Sequence, residues 1–190
     1  GKKKSCLLMK EESIEGSKRK PNIHIVKPFI YGNVATTIVP KYDLEGNQVI
    51  SHTGDVANTH TWTCFLRNHD LYEGMTYISH VIFHLHPSFV NPSITINNPP
   101  YFVTLDGWGQ FEIKIEIHFV NEAENPVTLT HMLTLFHPND TNPPPMDNPV
   151  VKEISDEFVF FEPRESFYRI LSRPPSRALE YALPCANLIE

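Results

Sequence analysis

The stretch FEIKIEIHF, Phe111–Phe119, decides the fold. Phe111, Ile113, Ile115, Ile117 and Phe119 fall on one face of an extended chain, and Glu112, Lys114, Glu116 and His118 on the other. Strict alternation of this kind describes an antiparallel strand with one face in a core and one in water. Upstream, Tyr77–His86 repeats the pattern: Val81, Phe83 and Leu85 point one way, His80, Ile82, His84 and His86 the other. HTWTCFLRN (60–68) sets Trp62, Cys64 and Leu66 against Thr61, Thr63 and Phe65, and IHIVKPFIYGNVATTIV (23–39) is rich in β-branched and aromatic residues. Pro28 in that run argues for a sheet edge. Downstream, VTLTHMLTLF (127–136) and VVKEISDEFVFFE (150–162) read as further strands.

The connections are equally legible. KYDLEGNQVISHTGDVANT (41–59) carries Gly46, Gly54 and many polar residues, and reads as a long, mobile loop. HPNDTNPPPMDNP (137–149) is a proline-rich connection that cannot donate ladder hydrogen bonds. PRESFYRILSR (163–173) has proline at a helix start and Phe167, Ile170 and Leu171 at helical spacing. SRALEYALPCANLIE (176–190) suggests one more short amphipathic helix. The sum is seven to eight strands with a short C-terminal helix, which describes an all-β, immunoglobulin-like β-sandwich.

Composition narrows the function classes. Hydrophobic residues make up 41% of the chain, enough for a core, and 17 prolines outnumber 8 glycines, as short proline-bounded strands require. No apolar run approaches the roughly 20 residues of a membrane span, and the N-terminus has no secretory signal pattern. Cys6, Cys64 and Cys185 are odd in number and far apart, so the expectation is free thiols in a reduced intracellular compartment. Residues 1–20 hold seven basic and three acidic residues, and the remaining body carries a net charge of −10. Such a body repels nucleic acid, so no direct sequence-specific nucleic-acid binding is expected, and it attracts basic partners. Residues 1–21 read as a disordered basic tail, in which SKRKP is a candidate nuclear localisation signal.

Two aromatic residues stand on connections rather than inside elements. Phe89 closes His86-Pro87-Ser88-Phe89, and Trp108 sits in the turn Asp106-Gly107-Trp108-Gly109. Aromatic rings on loops suggest a recognition surface, and the reading is that Phe89 and Trp108 are two walls of one narrow slot.

At these residues the chain resembles the YEATS domains. The resemblance rests on HTWTCFLRN, on VIFHLHPSFVNP (81–92), on NPPYFVTLDGWGQFEIKIEIHF (98–119) and on VTLTHMLTLF, and covers about residues 23–172. IVKPFIYGNVA further resembles the branch of YEATS subunits shared by histone-variant-exchange remodellers and histone acetyltransferase complexes. It implies a YEATS domain at 22–172 followed by a C-terminal extension at 173–190. It also implies a nuclear, non-enzymatic reader of acetyl- and crotonyl-lysine on histone tails, a subunit of such a complex, with no cofactor or metal.

The resemblance also implies roles. Phe89 and Trp108 would sandwich the acyl amide, Ser88 would hydrogen-bond it, and the Trp108 backbone N–H would donate to the acyl carbonyl. His86 would line the slot, Gly107 would let the backbone approach, and Phe111 would support the base. Gly109 completes the turn, and Asn58 stands where some members carry an aromatic or a histidine. Pro87, Leu105, Asp106 and Gln110 depart from the family's commoner residues beside the slot.

Other chemistries are less well supported. His80, His84 and His86 share a strand face at a spacing that could ligate zinc, but no cysteine or carboxylate stands at ligand spacing. His86, Ser88 and Asp106 invite a hydrolase reading, but there is no nucleophile elbow. A scaffold or histone-chaperone-like module, binding through the acidic surface, is the alternative from another class.

Overall fold

The computed structural model describes residues 18–138 and 148–189. Strands β1 (His24–Thr37), β6 (His60–Asn68), β9 (Tyr101–Gly107) and β12 (Val150–Phe161) form one sheet in the order β12-β1-β6-β9. Strands β7 (Ile78–His84), β8 (Ser93–Ile96), β10 (Glu112–Phe119) and β11 (Val127–Met132) form the other, in the order β11-β10-β7-β8. The pairings in both sheets are antiparallel. The expected all-β sandwich is therefore present, and Ile113, Ile115, Ile117 and Phe119 of β10 lie in its core as their alternation requires. Helix α1 (Glu165–Leu171) follows Pro163 and buries Phe167 and Leu171 against the same core.

Four expectations need correction. Residues 41–59 are two small hairpins, β2 (Lys41–Tyr42) with β3 (Gln48–Val49) and β4 (His52–Thr53) with β5 (Val56–Ala57). Their turns hold Gly46 and Gly54 at positive φ, and Asp43 Oδ1 accepts from the backbone N–H groups of Glu45 and Asn47. Pro28 lies on an interior strand. It opposes Glu157 of β12, but β6 begins to pair only at Phe29, so the missing N–H costs no ladder bond on that side. Residues 18–21 are tied down. Lys20 N–H donates to Pro163 O and its ammonium lies 2.6 Å from Glu165, while Arg19 bridges Arg164. Residues 1–17, expected to be disordered, lie outside the described residues.

The fourth correction concerns the C-terminal extension. It forms no amphipathic helix but two 3-10 turns, Leu179–Tyr181 and Ala186–Leu188. It straps the outer face of the first sheet, where Leu183 and Cys185 pack with Ile30, Val34 and Phe65 in a second apolar cluster. That explains why Phe65, which alternation places on the face opposite Trp62, is nonetheless fully buried. Burial of this kind predicts that Leu183→Ala costs roughly 2 kcal/mol, read as a fall in the urea midpoint with the slope unchanged.

One buried polar network ties the two sheets. Asn33 on β1 donates to Thr134 O, and its Oδ1 accepts from Thr134 N–H and from His131 Nε2–H at 2.7 Å. His131 Nδ1 is buried without a partner, so the imidazole is held neutral. Burial, reinforced by Lys152, pushes its pKa from 6.5 down to about 4. The unfolded chain takes up a proton near 6.5 that the folded one refuses. This stability is therefore complete above that pH and is lost as pH falls towards about 4. At about 1.4 kcal/mol per unit the loss is roughly 3 kcal/mol. Urea unfolding across this window should show that slope in the wild type and a flatter one in His131→Gln.

Candidate functional site

The site is built at one end of the sandwich by two turns and one hairpin. The first turn follows β7: Phe89 N–H donates to His86 O at 3.1 Å, with Pro87 at the second turn position, where its fixed φ suits the bend. Leu85 N–H donates to Pro92 O, closing the base of this loop. The turn drops the Phe89 ring, half-buried, onto Phe111 at 5.5 Å and edge-on to Trp62 at 6.0 Å. Trp62 is fully buried and also meets Phe111 edge-on, at 6.0 Å. His86 completes the cluster, 6.1 Å from the Phe111 ring.

The second turn follows β9. Gly107 is the last residue paired with β6, opposite His60, and Trp108 lies just beyond it. A Cβ at Gly107 would stand 2.8 Å from Trp62 Nε1 and 4.0 Å from the Phe89 ring. Only glycine therefore lets this backbone close down over the aromatic floor. Gly109 has open space around it, so its lack of a side chain meets no steric need. The Trp108 ring is 44% exposed, the opposite of a core placement. Its indole N–H donates to Thr53 O at 3.2 Å, so the β4–β5 hairpin holds it.

Together these groups enclose a cavity of about 100 Å³, lined by Thr53, Ser88, Phe89, Trp108 and Phe111, with His86, Gly107, Gly109 and Gln110 around them. Phe89 and Trp108 line the same space without meeting as a ring pair among the described residues. The space is small beside the roughly 300–1,000 Å³ of clefts that take drug-sized ligands, so its occupant is a small group.

The polar chemistry of the cavity follows from Ser88. Its backbone N–H points at His86 Nδ1 at 3.2 Å, and its hydroxyl lies 2.8 Å from the same nitrogen. A nitrogen that accepts from a backbone N–H carries no proton, so the Ser88 hydroxyl proton is also directed at it. That leaves the Ser88 Oγ lone pairs as acceptors at the cavity. His86 thus sets the direction of the serine as well as lining the site.

Most of the expected residues come together here: His86, Ser88, Phe89, Gly107, Trp108, Gly109 and Phe111. Asn58 does not. It lines a neighbouring groove and is engaged with Ser51, donating its backbone N–H to Ser51 O and its Nδ2 to Ser51 Oγ. The wall on that side is supplied by Thr53. Thr53 and Trp62 are the two site residues that sequence reasoning passed over. One sat in a stretch taken for a loop, and the other was read only as one face of an alternating strand. Of the three histidines weighed and set aside as zinc ligands, His86 belongs to the cavity. His80 instead stacks on His118 at 4.2 Å, and Glu116 bridges His84 and His118.

Comparison with known proteins finds relatives of this chain. Residues 57–137 match the model of the YEATS family. Transcription initiation factor TFIID subunit 14b of Arabidopsis thaliana is 32% identical over 98% of this chain and 68% of its own length. The protein AF-9 homolog of Saccharomyces cerevisiae is 33% identical over 86% of this chain and 75% of its own. Among solved structures, the Yaf9 YEATS domain bound to H3K27ac superposes with a TM-score of 0.64 at 32% identity, covering 81% of this chain and 97% of that one. The same domain has been solved recognising an H3K122suc peptide, with a TM-score of 0.62. With its sandwich, its turn-borne rings and relatives this similar over most of their length, the chain belongs to the YEATS family.

Proposed function

We propose that this protein is a non-enzymatic chromatin reader that takes the acylated lysine of a histone tail into the cavity between Phe89 and Trp108. The observation that supports it best is the pairing of an exposed ring and a half-buried ring across one small space, with Ser88 Oγ available as acceptor. The Yaf9 domain seen with H3K27ac supports the ligand class. The name of the Arabidopsis thaliana relative, a subunit of a transcription initiation factor, supports a nuclear place in a transcription complex.

Acylation converts an ammonium into a flat, neutral amide. Moving the ammonium into an apolar slot costs several kcal/mol, because nothing there replaces its hydration. A planar amide between two rings gains instead, by about 0.5–1.5 kcal/mol per aromatic contact beyond area alone. The amide N–H donates to Ser88 Oγ, and the backbone N–H of Trp108, past the end of the β6–β9 ladder, donates to the acyl carbonyl. A crotonyl chain extends the flat π system along Trp108. The acidic body raises the encounter rate with a basic tail. Affinity should be micromolar, roughly 7–8 kcal/mol, since the site is small and ordering the tail opposes binding.

Titration with matched unmodified, acetylated and crotonylated tail peptides tests the reading. The two acylated peptides should bind in the micromolar range and the unmodified one at least about tenfold more weakly, which is 1.4 kcal/mol. Trp108→Ala should abolish the difference while thermal unfolding stays unchanged, because the ring is exposed. Ser88→Ala should weaken acyl binding about tenfold by stranding the amide N–H. Equal binding of all three peptides would contradict the slot and favour a scaffold that binds through charge.

A further inference from the structure

Six exposed large apolar side chains fall within residues 39–56. Val39, Tyr42, Leu44, Val49, Ile50 and Val56 lie in the two hairpins or in the segments leading into and between them. Val39 is 59% exposed, Val49 56% and Ile50 52%. Clustered exposure of this kind marks a contact surface rather than the scatter found on any protein. Beneath it, Ile38, Val39, Pro40, Val49 and Ile50 line a trough of about 350 Å³.

The trough adjoins the slot through one intervening groove. The slot shares Thr53, Ser88 and Phe89 with a groove of about 330 Å³, and that groove shares Asn58 and Asp106 with the trough. The shared wall is fixed in place: Asp106 Oδ1 accepts from Thr61 Oγ1 at 2.6 Å and Oδ2 from Ser51 Oγ at 3.1 Å, while Asn58 grips Ser51.

We propose that this trough is a second subsite for the peptide whose acylated lysine fills the slot, and that it takes an aliphatic side chain of the flanking basic segment. The inference rests on the slot reading above and extends it to the partner's sequence. The slot recognises only the modified side chain and is blind to its neighbours. The groove leads the peptide backbone past Asn58 and Asp106, and the trough then buries one aliphatic group. The Ser51–Asn58 hairpin therefore does two things: it holds Trp108 through Thr53 O, and it forms one bank of the path to the trough.

The test uses acetyl-lysine peptides in a basic Gly/Ser background, with a leucine moved one position at a time along either flank. Binding is measured to the wild type and to a Val39→Ser/Ile50→Ser double variant. Both side chains are exposed, so thermal unfolding should confirm an intact fold. Leucine at one position should tighten binding about tenfold in the wild type, and the double variant should lose that gain while binding the leucine-free peptide as before. A wild type that binds the leucine-free acyl peptide but gains nothing from leucine at any position overturns the trough and leaves the slot standing. A gain that survives in the double variant overturns it as well. So does a dimer, seen by sedimentation, that only the double variant dissolves, since a second copy would then own the surface. Failure of the wild type to bind any acylated peptide removes both.

Discussion

A single buried indole joins the stability of this protein to its surface chemistry. Trp62 belongs to the core, fully enclosed between the sheets, yet its edge supports both Phe89 and Phe111 and its Nε1 lies directly under Gly107. The core therefore fixes the floor of the cavity, and the cavity's two loops cannot drift without disturbing the core. This is how a site made of turns acquires the rigidity of a sandwich. The opposite wall is held differently. Trp108 projects into solvent and is steadied by one hydrogen bond to the Thr53 carbonyl. One wall is thus rigid and the other leans on a small hairpin.

The selectivity asked of such a site is mostly a matter of exclusion. Stacking an amide between rings contributes a modest amount, whereas stripping water from an ammonium costs several kcal/mol. A slot can discriminate strongly while binding weakly, because rejection of the cation does not depend on a tight grip on the neutral form. His86 directs the Ser88 hydroxyl proton away from the cavity, and in the proposed reading this leaves the oxygen as an acceptor for the amide N–H. Affinity and sequence choice must then come from beyond the slot, from the acidic body and from the surfaces the flanking peptide crosses.

Much of this was legible from residues alone, for identifiable reasons. Phe111–Phe119 and Tyr77–His86 alternate cleanly because each strand has one dry face and one wet face. The Phe89 and Trp108 rings could be picked out because aromatics on turns violate the rule that sends them to cores. What escaped was whatever depends on distant parts of the chain. Phe65 looked like an outward residue because the strap that buries it, Leu183 and Cys185, arrives from the far end of the sequence. The hairpins of residues 41–59 looked like a mobile loop because two-residue strands are too short to show alternation. Thr53 was invisible for the same reason, and because it holds Trp108 with its backbone, which no side-chain pattern announces. Asn58 was placed at the slot by family position, but its hydrogen bonds to Ser51 keep it in the adjoining groove.

The central claim is that the space between Phe89 and Trp108 accepts a neutral acyl amide and refuses a lysine ammonium. The chain has two tryptophans, one buried and one exposed, so its indole N–H resonances report on this directly. In an NMR titration with the blocked single amino acid crotonyl-lysine, the Trp108 indole and the Ser88 amide should shift saturably, and blocked unmodified lysine should leave both in place. A Trp108 resonance that stays fixed while crotonyl-lysine moves signals elsewhere, or that moves equally for both compounds, would contradict the account.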